Sequence, residues 1–420
     1  MKTFLIIWLG QLVSMLGSSL TGFALGVWVF EQTGSATQFA LVLLATSLPR
    51  VLLSPFAGVV ADRWDRRRLI MLSDFGAGLG TFALFLVFNE QTLQVWHIYV
   101  ATALSSCFTT FQGPALGASV TMLVRDEQLE RANGLQQFSQ ALAQLLGPLL
   151  GGWLLTLAGL QTVLLLDCFS FIIAVGSLLF TTIPMPENSP EHEGIWLALS
   201  NAAHYLRKRR ELSTLMLYFG IINLTSAMAL ALLTPLILSF TETDTLGVLL
   251  SLGGLGLVVG SLVMSVWRGP KPINGVFGFM ILFCPFVTLI GLRPLPWLVG
   301  LGIFGAYFTL PFVNGYTAVI FQREVAPQMQ GRVFALTQLI GGAAMPLGYL
   351  TAGSLADWLE PLLLPGGLLA GSLGQLVGVG VGRGTGLIFV AIAVFTLVVT
   401  GIFYMQPALK PLKTMTRRDT

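Results

Sequence analysis

Apolar residues in this chain gather into long runs rather than alternating with polar ones. Twelve such runs lie near 4–30, 39–61, 69–89, 95–119, 133–157, 161–183, 213–239, 245–267, 273–292, 296–320, 333–356 and 385–406. A helix needs about twenty apolar residues to cross the hydrocarbon layer of a membrane. The runs are too long for strands and lack a two-residue period, and an unpaired strand in lipid would leave its backbone polar groups unsatisfied. The pattern therefore predicts an all-α membrane protein of twelve transmembrane helices.

Two connections are long. The first, 184–212, divides the spans six and six, as a duplicated six-helix unit would. It separates an N-terminal half, 1–183, from a C-terminal half, 213–420. Within it Trp196, Leu199, Ala203 and Leu206 recur at helical spacing and are followed by Arg207 to Arg210, which predicts an amphipathic helix on the membrane surface. The second, 357–384, is expected outside the cell. Gly378, Gly380, Gly382, Gly384 and Gly386 suggest a phosphate-cradling loop, but no strand precedes them and no ribose-binding acid follows at the spacing such a loop needs. A flexible lead into the last helix is the better reading.

Composition and charge sharpen this picture. Only 10% of the 420 residues are charged and 55% are hydrophobic, against roughly 25% charged in soluble domains. The medium around most of the chain must be lipid. A net charge of +3 is too small to suggest nucleic acid as a partner, and the placement of charge says more than its sum. With both termini cytoplasmic, 19 of the 22 Lys and Arg fall on one face. Arg293 and Arg383 fall on the other, and Arg50 lies within a span. That asymmetry orients the protein in an inner membrane. Thr3 to Phe30 is free of charge, too long for the core of a secretory signal, and reads as a retained first span. Cys107, Cys168 and Cys284 lie in apolar stretches without a Cys-x-x-Cys pair, so neither a disulfide framework nor a metal site is expected.

Two segments carry mechanism. Between spans two and three runs Gly58-Val-Val-Ala-Asp62-Arg63-Trp-Asp65-Arg66-Arg67-Arg68. It resembles the signature of the major facilitator superfamily, Gly-x-Leu-Ala-Asp-Arg-x-Gly-Arg-Lys, in the same loop, with Asp65 where that family usually has glycine. Asp65 is placed to cap span three, and aspartate also tolerates the left-handed turn a glycine would supply. The resemblance implies that Gly58, Asp62, Arg63, Asp65, Arg66 and Arg67 form a conformational latch. Span five carries Gly134, Ala143, Gly147, Pro148, Gly151 and Gly152. This resembles the antiporter motif of drug–proton exchangers, with Ala143 replacing a glycine. Ser139, Ala143, Gly147 and Gly151, four apart, make a ridge that permits close helix approach, and Pro148 invites a bend. Gly256 and Gly260 form a matching ridge on span eight, which predicts that spans five and eight cross.

Further similarity runs through Thr33-Gly-Ser-Ala36, Arg131-Ala-Asn-Gly-Leu135, Gly331-Arg-Val-Phe334 and Pro346-Leu-Gly348. It points to the branch of the superfamily that contains macrolide-efflux proteins and the enterobactin exporter. What the branch implies is proton-driven export of a small molecule from a cavity between two six-helix halves, by a protein that needs no cofactor beyond a proton gradient and is expected to be a monomer in the bilayer. In facilitators spans one, four, seven and ten line that cavity. On this basis Gln11, Ser14, Ser18, Thr109, Gln112, Asn223 and Asn314 are its expected polar lining.

Ionisable groups inside a bilayer are costly and usually functional. Arg50 lies about 18 Å along its helix from Asp62, at 1.5 Å per residue, too deep for easy snorkelling. It is expected to face the cavity or a carboxylate, and Asp74 or Asp167 could pair with it or carry a proton. The favoured function is a secondary active exporter of a hydrophobic or amphipathic small molecule, drug- or siderophore-like, working by proton antiport and alternating access. An importer or facilitator of the same fold is the alternative. A membrane receptor or enzyme would need a catalytic cluster or a soluble domain, and the sequence offers neither.

Overall fold

In a computed structural model, residues 1–125, 128–183, 195–266, 269, 271–325 and 327–414 are described, apart from a few side chains within them. They form helices α1 Lys2–Thr33, α2 Ala36–Arg63, α3 Arg66–Asn89, α4 Val95–Leu123, α5 Leu129–Leu179, α6 Ile195–Lys208, α7 Arg210–Leu238, α8 Thr243–Val266, α9 Pro272–Leu292, α10 Pro296–Glu324, α11 Pro327–Leu359, α12 Leu373–Val377, α13 Arg383–Met405 and α14 Lys410–Thr414. No strand occurs among the described residues.

Among the described residues, ten stretches are long and apolar enough to cross a membrane. One of them, Phe138–Leu179, holds two spans. Gly159, at φ 74 and ψ 171, reverses the chain there, between the two runs expected at 133–157 and 161–183. The reversal is visible in how α1 packs. Ser19 and Phe23 of α1 meet Gly147 and Gly151 in rising order, whereas Gly10 and Gly17 meet Ser177 and Ser170 in falling order. The two arms of α5 thus run antiparallel on either side of α1. With α4, which carries Ser105, Ser106, Thr109, Thr110 and Gln112, the count is twelve transmembrane helices.

The helices are inside out relative to a water-soluble protein. On α3 the exposed stripe is Leu72, Phe75, Leu79, Phe82 and Leu86, while Ser73, Asp74, Ala77 and Thr81 are buried. Only a solvent as apolar as the exposed stripe makes that arrangement favourable. Helix ends obey local rules. Gly34 ends α1 in the left-handed region at φ 63, and Ser35 Oγ then accepts from Gln38 N at 3.3 Å to open α2.

The chain forms two compact units. The first holds Met1–His192 and Glu242–Ser251, and the second Glu193–Thr241 and Leu252–Thr420. In the first, α1 packs on both arms of α5, α3 on α4 and on α5, and α2 on α4. In the second, α7 packs on α11 and α13, α9 on α10 and α13, and α8 on α10 through Gly256 and Gly260. The second set repeats the first span for span, which is the internal signature of a six-helix duplication. The expected surface helix forms as α6 and belongs to the second unit. Leu206 is buried, Arg207 and Lys208 are exposed, and Arg209 beside it lies 3.3 Å from Glu324 and 3.4 Å from Glu211. The side chains of Trp196 and Leu199 lie outside the described residues.

Candidate functional site

A cavity of about 740 Å³ opens in the first unit. Five of the seven residues expected to line a cavity are on its wall: Gln11, Ser14 and Ser18 from α1, and Thr109 and Gln112 from α4. Asn223 and Asn314 belong to the second unit and are not among these. Asn223 Nδ2 donates to Phe219 O at 2.9 Å, within its own helix, and Asn314 is exposed. The wall also carries Gln136, Gln140 and Gln144, a ladder four residues apart on α5 that the sequence reading missed. The same spacing that marked the small-residue ridge at Ser139, Ala143 and Gly147 would have found it one residue along.

Arg50 lines this cavity and is exposed to it. It makes no hydrogen bond or ion pair among the described residues, so the expected pairing with Asp74 or Asp167 does not occur. The reason is that both carboxylates are already engaged by neutral donors. Gln11 Nε2 donates to Asp74 Oδ2 at 2.7 Å and Gln112 Nε2 to Asp74 Oδ1 at 2.7 Å. Gln112 Nε2 also donates to Gln11 Oε1 at 2.6 Å. Asp74, buried at 1% exposure, therefore stands one layer behind the wall and ties α1, α3 and α4 together.

Asp167 is also 1% exposed, yet it contributes to the cavity wall. Its shell is made of hydroxyls. Thr81 Oγ1 donates to Oδ2 at 3.1 Å, Ser170 Oγ to Oδ1 at 3.3 Å and Ser18 Oγ to Oδ1 at 3.5 Å. A hydroxyl can donate to a carboxylate or accept from a carboxylic acid, so this shell serves either protonation state without rearranging. Asp74 differs. The N–H groups that meet it only donate, so protonation there asks a glutamine to turn its carboxamide oxygen toward the acid. Close approach of α1 to Asp167 depends on Gly17, where an added Cβ would lie 2.7 Å from Asp167 Oδ1.

The antiporter-like motif divides between two faces. Ala143 and Gly147 meet Ser19 of α1, whose Oγ donates to Ala143 O at 2.9 Å. Gly151 meets Phe23, where an added Cβ would be 2.8 Å from its Cδ1. Pro148 and Gly152 instead face the start of α8. A Cβ on Gly152 would lie 2.8 Å from Thr243 O, a Cβ on Gly247 would lie 2.5 Å from Pro148 O, and Ser251 Oγ donates to Leu145 O at 2.9 Å. Spans five and eight do meet, but not through the ridge expected for it. Gly256 and Gly260 face α10, where a Cβ on Gly256 would lie 3.2 Å from Phe308 N. The contact with α5 is made one and two turns earlier, at Gly247 and Ser251. The surroundings of Gly134 lie outside the described residues.

In the loop between α2 and α3, Asp65 caps α3. Its Oδ1 accepts from Arg68 N at 3.2 Å, and its Oδ2 lies 3.6 Å from Arg68 Nε. Its φ of −58 is not left-handed, so the aspartate works as a cap and not as a glycine substitute. Arg67 reaches the end of α5, with Nε donating to Leu178 O at 2.8 Å and Nη2 to Leu179 O at 2.9 Å. Leu178 O also accepts from Thr181 N at 3.3 Å, and Arg67 adds its guanidinium to this helix end, so it binds spans three and six there. Around Gly58 there is open space. The side chains of Asp62 and Arg63 lie outside the described residues, and Arg66 is engaged.

The family model of the Major Facilitator Superfamily matches residues 7–349. The chain belongs to that superfamily. This facilitator is 27% identical over 365 residues to macrolide efflux protein A of Streptococcus pyogenes, covering 84% of this chain and 89% of that one. It is 28% identical over 374 residues to the multidrug efflux pump Tap of Mycobacterium bovis, covering 84% and 87%. Among solved structures, that of the nucleoside transporter NupG superposes with a TM-score of 0.72 at 13% identity, covering 99% of this chain and 100% of that one. At that identity the likeness is one of fold. As a facilitator the chain is a multi-pass membrane transporter and not an enzyme.

Proposed function

We propose that this facilitator exports bulky amphipathic small molecules from the cytoplasm across the inner membrane by exchange for protons. The observation that carries the reading is the wall of the cavity in the first unit. It joins an unpaired cation, Arg50, with a hydroxyl-clothed carboxylate, Asp167, and a set of glutamines that can donate or accept. Such a wall holds a ligand through adaptable neutral hydrogen bonds, while Asp167 takes and releases a proton at its carboxyl oxygen. A proton and a substrate that favour different states of one protein drive each other in opposite directions, provided each binds one state better. The names of the relatives, a macrolide efflux protein and a multidrug efflux pump, support export of drug-like molecules. Lys and Arg placement supports cytoplasmic termini, with Gly58, Asp62, Arg63, Asp65, Arg66 and Arg67 as a latch on that side. There Arg67 holds two spans together in one state and releases them in the other.

The test uses inverted vesicles containing the full chain and a panel of macrolides, siderophores and lipophilic cations. Acidifying the lumen should drive accumulation of at least one panel compound, and collapsing the pH gradient should stop it. Accumulation that follows only the compound's own gradient would make the protein a facilitative carrier and end the antiport reading.

A further inference from the structure

Arg50 stands near the midpoint of α2. An ionised group at that depth in a membrane is costly and is kept where it has a task. It is exposed to the cavity and, among the described residues, has neither a hydrogen bond nor an ion pair. The helix that carries it is fixed in place. Ser106 Oγ of α4 donates to Thr46 O, one turn before Arg50. The backbone thus holds the guanidinium at the wall while its five N–H groups stay free for a ligand.

No carboxylate on the wall is open in the same way. Asp167 is the one other charged side chain there among the described residues. It is buried, and the hydroxyls of Thr81, Ser170 and Ser18 cover its oxygens. Asp74 lies behind the wall, closed off by Gln11 and Gln112. A ligand therefore meets an open positive charge and no open negative one. The rest of the wall is neutral. Gln136, Gln140 and Gln144 donate or accept, and Trp8, Leu116 and Phe171 offer apolar surface. A volume of about 740 Å³ is that of a site for a drug-sized molecule. The guanidinium fork matches the paired oxygens of a carboxylate or a similar oxyanion, and attraction between charges is stronger away from bulk water. A cation in the same place is repelled by Arg50 and finds no carboxylate to receive it.

We infer that the transported molecule is an amphipathic anion whose carboxylate, or similar oxyanion, is received by Arg50. This rests on the proposed use of the cavity as the transport site, and not on which ion drives the cycle.

The test measures equilibrium binding to the full-length protein in phosphatidylcholine nanodiscs at neutral pH. The probes are the amphipathic acids cholate, fusidate and indomethacin, each beside its uncharged methyl ester, with tetraphenylphosphonium as the cation. At least one acid should bind, about tenfold more tightly than its ester. Arg50→Gln should weaken that acid about tenfold and leave the ester unchanged, and Arg50→Lys should restore part of the difference. A purely structural role for Arg50 would weaken acid and ester alike. Binding of no acid, equal binding of acid and ester by the wild type, or an acid whose affinity is the same in Arg50→Gln overturns the inference. Gln140→Trp separates this outcome from failure of the cavity itself, because its ring fills the same space. Ester or cation binding that is lost in Gln140→Trp and kept in Arg50→Gln, with no preference for the acids, leaves the cavity as the transport site and removes only the anion. Probe binding that survives Gln140→Trp lies outside the cavity and overturns the transport-site reading as well.

Discussion

The two units share one plan of helix packing and fill it with different chemistry. The first buries two carboxylates, whereas the buried ion of the second, Arg383, stands at the start of α13. Both buried carboxylates among the described residues, Asp74 and Asp167, are in the first unit, with Arg50 on the cavity wall and Gln11 and Gln112 between. The second packs rings between its helices. Phe279 and Phe312 stack at 4.0 Å, Tyr218 lies 4.9 Å from Phe277 and 5.4 Å from Phe403, and Phe308 lies 5.5 Å from Phe312. Burying an ion costs several kcal/mol, so the first unit holds groups that stability alone would not select. Rings give contact area without that cost. The contrast fits the proposed function, which places proton and ligand handling in the first unit.

That contrast breaks most directly at Asp167. Asp167→Asn keeps the side chain's size and its hydroxyl neighbours but removes the titrating oxygen, and gradient-driven transport should fall about 100-fold with expression and monodispersity unchanged. Normal coupled transport by this variant would move the proton elsewhere. Arg50→Gln should reduce transport about tenfold, the worth of one charge-assisted hydrogen bond, as read from initial rates in vesicles. Gly147→Leu tests packing within the same unit. Its side chain must displace Ser19 of α1, and a loss of ~1–3 kcal/mol should appear as a lower unfolding midpoint. Asp65→Ala should cost about 1 kcal/mol through the lost cap of α3. The smallest effect is expected in the second unit. Tyr218→Phe removes the 3.1 Å bond to Thr400 Oγ1 and should lower stability by about 0.6 kcal/mol, with transport rates as in the wild type. A large transport defect in Tyr218→Phe would erase the division of labour.

Much of this was legible in the sequence, for physical reasons. Span length follows from the thickness of the hydrocarbon layer, so twelve runs became twelve membrane helices. Gln11, Ser14, Ser18, Thr109 and Gln112 reach one wall because polar side chains in lipid-solvated helices turn inward. Partner choice was not legible. A lone Arg50 and two aspartates invited a pairing by charge, but Gln11 and Gln112 reach Asp74 first, and that depends on how three helices rotate about their axes. The ridge at Gly256 and Gly260 failed in the same way. Small residues state that a neighbour comes close without stating which one, and the neighbour proved to be α10.

Gly159 has a consequence for anyone wishing to reach the protein from outside. Spans five and six reverse at a single residue, so no tether protrudes there for an antibody, a protease or an inserted epitope. A foreign peptide spliced at Gly159 would have to replace the one-residue reversal with a loop of its own.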